Sequence, residues 1–413
     1  MDIQRGLIHK TLVIVIILFF VFMSITPSFA IINVKKSSIP VFSGNTLYVG
    51  GTGPDNYSSI QSAINDASDG DAVFVFDDSS PYIENLIVDK SISLIGEDRN
   101  TTIIDGTKDN YTIYILEDIN EVTITGFTLI IGGFCAIYIY SNYNNIINNN
   151  IFGHQGIRVY SSIGNNISNN KLVVNYGIII YHSNENTIYN NHIINGWDEG
   201  IQLIKSSNNI VSKNTVGDRR GYGIHIGEES ENNYINSNIL NNITYSCLLI
   251  DGNNNSVYKN NISNSDCGIE LFIDSKNNDI YKNEIKSCNF GIELAGAISN
   301  NIHRNNIINC NHGVYYYWFS YYNKIYENNF IDNEHHGEWT IYFREIPLIF
   351  SRNIWDKNYW GKPLLIPKFV KGYIRIYCGP YSPFYDFAIA SYRIDWRPAK
   401  EPYDIPMGGC DGG

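Results

Sequence analysis

The chain has 413 residues, 44% of them hydrophobic and 14% aromatic, with Tyr the commonest aromatic. That apolar content is ample for a folded core, so the Asn-rich tracts are not taken as low complexity. With 29 Lys and Arg against 41 Asp and Glu, the formal net charge is −12, which argues against nucleic acid and anionic membrane surfaces as partners.

Arg5, His9 and Lys10 precede an apolar run from Leu12 to Ile25, and Ser28-Phe29-Ala30 follows. This order predicts a secretory signal over residues 1–30, cut after Ala30. The alternative is an uncleaved anchor, the sequence's one route to a membrane, although the run is short for a span of about 20 residues. Either reading makes the protein extracytoplasmic, secreted or at the cell surface.

Residues 31–44 form a polar linker. A strand TLYV at 46–49 opens the main domain, predicted over 45–361. Ser58-Ser59-Ile60-Gln61 is a helix-start pattern, and Ile60, Ala63, Ile64 and Ala67 follow at helical spacing. This short amphipathic helix is expected to cover the open end of the core. Strands follow at 72–76, 85–89, 91–96 and 101–106.

From residue 146 a hexamer recurs every 21–25 residues: IINNNI at Ile146, ISNNKL at Ile167, IYNNHI at Ile188, and on through IYENNF at Ile325 to FSRNIW at Phe350. Its fourth position is always Asn: Asn149, Asn170, Asn191, Asn214, Asn238, Asn260, Asn283, Asn305, Asn328 and Asn353. A second Asn column runs two residues ahead of each hexamer, from Asn144 to Asn323. The period belongs to solenoids. It is too short for a βαβ unit of about 30 residues and suits three short strands joined by turns. Stacked coils put equivalent residues about 4.8 Å apart, where Asn amides hydrogen-bond into a ladder. Asn also tolerates the left-handed turn conformation. The ladder residues are therefore structural.

Most coils from Gly156 also open with Gly-[Ile/Val]-x-[apolar or Tyr], as in GIRV at Gly156, GIHI at Gly223 and GIEL at Gly268 and Gly291. Inward apolar residues alternate with outward variable ones. One outward column runs Tyr138, Arg158, Ile179, Gln202, His225, Leu249, Glu270, Glu293, Tyr315 and Tyr342. A second runs Tyr140, Tyr160, Tyr181, Ile204, Gly227, Asp251, Phe272, Ala295, Tyr317 and Arg344. Cys288 and Cys310 share one column of adjacent coils, a separation that permits a disulfide and equally a pair of buried thiols. Cys378 and Cys410 would tie down the tail. After Trp360 the period is lost, and residues 362–413 are expected to form an irregular C-terminal cap.

The repeats, the opening TLYVGGTGPDNYSSIQSAINDASDGDAVFVF and the ending NIWDKNYWGKP resemble the NosD-like, carbohydrate-binding and sugar-hydrolase (CASH) β-helix family of secreted archaeal type. The resemblance implies an all-β, right-handed parallel β-helix of the pectate-lyase-like kind, outside the cytoplasm. It spans several activities, because fold does not settle function.

Three functions follow as expectations. The first is a non-catalytic module that binds a polysaccharide or a cell-envelope glycan or protein, through Tyr138, Tyr160, Tyr181, Trp197, Gln202, His225, Asp251 and Tyr315. Aromatic rings interleaved with carboxylates and amides suit sugars. The second is a polysaccharide lyase or glycoside hydrolase. Glu270 and Glu293 in successive coils approach the spacing of a glycosidase pair, with like-charge repulsion raising one pKa. A lyase would instead use Asp218 and Arg219 with Asp198, Glu199 and Arg220, and Ca²⁺ as cofactor. The third is an accessory factor for copper-enzyme maturation, implied by the family alone. Only 3 Met and no Cys-x-x-Cys are present, so soft copper ligands are sparse, and no resident cofactor or metal is expected from the residues. His312, His335 and His336 make a weaker metal candidate, because adjacent strand residues point to opposite sides.

Overall fold

The computed structural model describes residues 44–106, 111–342, 353–376 and 387–406. The signal at 1–30, nearly all of the linker, Arg344, Cys378 and Cys410 lie outside them. The chain winds as a parallel β-solenoid. One side is a 14-stranded sheet with one strand per coil, from Thr46–Val49 to Ile354–Asp356. A 22-stranded sheet forms the rest of the wall. In four coils the expected second and third strands merge into one bent strand: Asn150–Tyr160, Lys171–Tyr181, Ile239–Ile250 and Asn261–Leu271. Where the corner carries extra residues, as at Trp197-Asp198-Glu199, the strand breaks between His192–Ile194 and Ile201–Ile204.

The hexamer's first and last residues build the core. Ile146 and Ile151, Ile188 and Ile193, Val257 and Ile262, and Ile325 and Phe330 are all fully buried. Each such side chain contributes about 1.5–3 kcal/mol relative to exposure. No coil buries its own stripe, so each depends on the coil above and below.

The Asn columns are laddered in one direction. The backbone N–H and the side-chain Nδ2 of Asn260 both donate to Oδ1 of Asn283 at 3.0 Å, and Nδ2 also donates to the Ile235 carbonyl in the preceding coil at 2.9 Å. The same pattern joins Asn149 to Asn170 and every later member. The turn conformation falls one residue earlier than expected. The residue before each ladder Asn, from Asn148 through Lys259 to Lys357, has φ between 52° and 59°, and the ladder Asn itself is freed to face inward.

The ladder's end departs from the sequence reading. Asn328 donates to Asn358, whereas Asn323 donates to Asn353 across 30 residues. Asn353 thus closes the column that begins at Asn144, and Asn358 closes the other. The lengthened last coil shifted the apparent frame by one column. Beyond Asn358 the acceptor is a carboxylate. Buried Asp395 accepts the Asn358 N–H and Nδ2 and the Trp360 indole N–H on Oδ2, and the Lys357 and Arg397 N–H groups on Oδ1.

At the other end, helix α1 (Ile60–Asp66) buries Ile60, Ala63 and Ile64. Ser59 caps it by accepting from the Ser62 N–H, and Glu84 accepts the Ile60 and Gln61 N–H groups at 2.8 and 3.0 Å. An anion at the positive helix end is favourable. The C-terminal cap is more regular than expected. Lys368–Ile376 adds in parallel to His335–Tyr342 and pairs antiparallel with Phe387–Asp395.

Cys135, Cys247, Cys267, Cys288 and Cys310 are buried free thiols. Cys288 Sγ donates to the Lys286 carbonyl and Cys310 Sγ to the Ile308 carbonyl; of the two arrangements open to their column the structure holds the thiol pair.

Replacing Asn260 by Ala leaves Asn238 N–H and Nδ2, Asn283 Oδ1 and the Ile235 carbonyl short of a partner. A loss of roughly 2–4 kcal/mol is expected, read as a lower melting temperature; an unchanged melting curve would contradict the ladder's role. Cys288→Ser should lower the free-thiol titre of denatured, unreduced protein by one, its own. A titre that rises by one, from the released Cys310, would reveal a bond between the two.

Candidate functional site

Strand register decides which outward residues meet. Gln202 pairs with His225, His225 with Leu249, Leu249 with Glu270, Glu270 with Glu293, and Glu293 with Tyr315. The column then reaches Glu338 rather than Tyr342, because the last coil is entered four residues earlier than its sequence suggests.

His225 stands at the centre of a half-buried polar cluster. Its Nε2 lies 2.9 Å from Asp251 Oδ2, its Nδ1 lies 3.2 Å from Gln202 Nε2 and 3.8 Å from Glu199 Oε1. Burial disfavours the charged ring, but Asp251 and Glu199 outweigh it and raise its pKa to about 9. Glu199 is held down in turn, chiefly by its hydrogen bond to His225. The other Asp251 oxygen, Oδ1, is buried without a hydrogen-bond partner among the described residues.

Glu270 and Glu293 continue this cluster. Burial raises Glu270, with Asp251 and Asp266 adding to the effect and a hydrogen bond from Ser246 Oγ opposing it. Glu293 is raised to about 7, first by burial, then by the charges of Glu270 and Asp266, against a hydrogen bond from Tyr317. Repulsion between the two glutamates thus operates as the sequence suggested, although desolvation is the larger cause. The pair is asymmetric: Ser246 favours the charged form of Glu270, and Glu293 is the one pushed as far as about 7.

The other candidates are scattered. Tyr160 stacks between Tyr140 and Tyr181 at 5.4 and 5.1 Å, so both of its faces are covered by rings and its edge meets solvent. Tyr138 sits in a separate group with Tyr111 and Tyr114, and burial raises its pKa to about 12. Trp197 is exposed on its turn, under the Arg220 guanidinium at 4.4 Å. Tyr315 donates to Thr340 Oγ1.

Arg219 does not face the outward surface. It is buried, and Nε and Nη2 donate to the backbone carbonyls of Asp198, Asn175 and Glu199. It fastens the corner that carries Glu199. Asp218 is exposed and accepts from Asn242. The two therefore do not form a base and its carboxylate partner. His312 stacks on His335 at 5.1 Å and lies 3.1 Å from Glu338, while His336 turns inward, its pKa lowered to about 4 by burial. Among the described residues no group of three His, Cys, Asp or Glu converges in a way that would hold a metal ion. The described Cys residues all face the interior.

The sequence places Gln202, His225, Asp251, Glu270 and Glu293 on the outward face and pairs Glu270 with Glu293, but does not link Glu199, His225 and Asp251 into one group. It does not give Ser246 and Asp266, which lie outside the two outward columns, as partners of the glutamates, nor join Tyr317 of the second outward column to Glu293. It also missed a second ring stack on the 14-stranded sheet, Tyr258, Tyr281, His303 and Tyr326, with centroids 4.8–5.4 Å apart. Its signal was present in the second hexamer position of VYKNNI, IYKNEI, IHRNNI and IYENNF.

No curated protein sequence matches the chain. Among solved structures it is similar to the A-module of mannuronan C-5 epimerase AlgE6 of Azotobacter vinelandii, at 14% identity and TM-score 0.54 over 65% of this chain and 88% of that one. It is also similar to DFA-IIIase from Arthrobacter chlorophenolicus, at 13% identity and TM-score 0.54 over 64% and 89%. The Dettilon tailspike protein matches at 13% identity and TM-score 0.51 over 72% and 63%. These likenesses are of fold. The model of the right-handed β-helix region matches residues 111–262, 176–330 and 233–361, more than half of the chain, which accordingly belongs to the right-handed β-helix family.

Proposed function

We propose that the outward face binds a neutral polysaccharide and hydrolyses it at Glu270 and Glu293. The observation that carries this reading is the in-register pair itself, two half-buried glutamates on adjacent strands with Glu293 raised to about 7. Adjacent strands hold the two backbones about 4.8 Å apart, compatible with the carboxyl separation of about 5–5.5 Å found in retaining glycosidases. In this scheme protonated Glu293 delivers its proton to the glycosidic oxygen as the bond to the leaving sugar breaks. Ionised Glu270 attacks the sugar carbon, and water then releases the sugar with Glu293 taking back a proton. The His225–Asp251–Glu199 group lies beside the pair to hold sugar hydroxyls.

Charge selects the substrate class. Glu199, Asp251, Asp266 and Glu270 stand against one imidazolium, a net negative field that repels a polyuronate. The mannuronan epimerase supports the reading in so far as a β-helix can carry chemistry on mannuronan. The location we propose is extracytoplasmic, on the strength of the pattern from Arg5 to Ala30. A second reading, a glycan-binding module without turnover, is favoured by the Tyr140–Tyr160–Tyr181 stack, whose hydroxyl edges line one continuous strip.

Incubation with neutral polysaccharides should generate new reducing ends, and Glu293→Gln should lower that rate by about 10²–10⁴-fold. Binding without cleavage, weakened by Tyr160→Ala, would establish the second reading; unsaturated ends from a polyuronate would overturn the charge argument. The rate should fall at high pH as Glu293 deprotonates near 7, and at low pH as Glu270 becomes protonated. A stability effect accompanies this. Because the folded-state pKa of Glu293 exceeds the ordinary 4.5, the stability it contributes is full below that value and lost as pH rises through about 7. Glu293→Gln should remove this part of the pH dependence of the melting temperature.

A further inference from the structure

The C-terminal hairpin leaves one face unpartnered. In an antiparallel pair, directly opposed residues point to the same side. Phe369 opposes Ile394, Lys371 opposes Tyr392 and Tyr373 opposes Ala390, while Val370 and Asp395 turn to the interior. The outer face therefore presents Phe369, Lys371, Tyr373, Tyr392 and Ile394, and Trp396 continues it at the next outward position. Phe369 is 56% exposed, Tyr392 53% and Trp396 69%; Leu365 and Ile366, leading into the hairpin, are 89% and 68% exposed. A run of large exposed apolar side chains marks an interaction surface.

The charge around it is reversed relative to the rest of the protein. The C-terminal segment 362–413 holds seven Lys and Arg against five Asp and Glu, a net of +2, which leaves −14 for the remainder of the −12 chain. Lys362, Lys371 and Lys400 are exposed.

We infer that this hairpin face docks on an anionic lipid surface. Trp, Tyr and Phe settle at the headgroup level, and lysines beside them are drawn to anionic headgroups. Leu365 and Ile366 decide between lipid and sugar: aliphatic side chains enter acyl chains and offer a glycan nothing to stack on. The overall acidity that argued against such a surface does not apply to this end of the molecule. Docking here turns the outward face, which runs into the hairpin through Thr340 and Tyr373, alongside the membrane.

The test is full-length protein with vesicles of phosphatidylglycerol and phosphatidylcholine carrying brominated acyl chains, read by tryptophan quenching. Because the probe is local, binding through other segments does not mimic it. Quenching is expected with these vesicles and not in Trp396→Phe, and Lys362→Glu with Lys371→Glu should weaken it about tenfold or more. Quenching identical in wild type and Trp396→Phe would overturn the inference. So would a Trp396-dependent dimer, or oligosaccharide binding at Trp396, in protein that shows no quenching.

Discussion

Everything in this molecule depends on the buried Asn amide. A solenoid coil exposes backbone groups and apolar side chains at every turn, and an Asn at the corner answers both needs. Its Oδ1 takes up two donors from the coil before, and its Nδ2 satisfies a carbonyl there and the amide of the coil after. Because every rung points the same way, each column is a string of aligned dipoles. The 149 column ends on Asp395, an anion placed where the Asn acceptors run out.

That constraint explains the site. Ladders and stacked Ile and Val hold the register at one strand spacing per coil, so a residue type repeated at one column position is forced against its copy. On the 14-stranded sheet this yields stacked rings. On the outward face it yields Glu270 against Glu293, a conflict of like charges that neither side chain can relieve by moving to another register. Burial first, and this conflict second, leave Glu293 as a carboxyl that holds its proton up to about 7. A rigid scaffold carrying an electrostatic conflict is what acid–base chemistry requires.

The fold was legible in the sequence because its periodicity is the physics: Asn at fixed spacing, apolar residues on either side, Gly where coils close. Three features escaped that logic. Asn353 was assigned to the wrong column because the last coil is longer, and counting from the hexamer carried the frame past the insertion. Arg219 looked like a base in a charged turn, yet three backbone carbonyls claim it, a demand visible only when the corners are packed. The His225–Asp251–Glu199 group draws on three successive coils at different positions within the repeat, so no single column displays it. Net charge was the bluntest guide, since it averages an acidic solenoid with a basic cap.

The central claim is that the fold forces Glu270 and Glu293 together so that one stays protonated near neutral pH. Its most direct test is a carbon-13 titration of the glutamate carboxyls, assigned through Glu270→Gln and Glu293→Gln. The account predicts that Glu293 titrates near 7 and moves down when Glu270 is neutralised, as coupling requires. Both carboxyls titrating independently at ordinary values would contradict it.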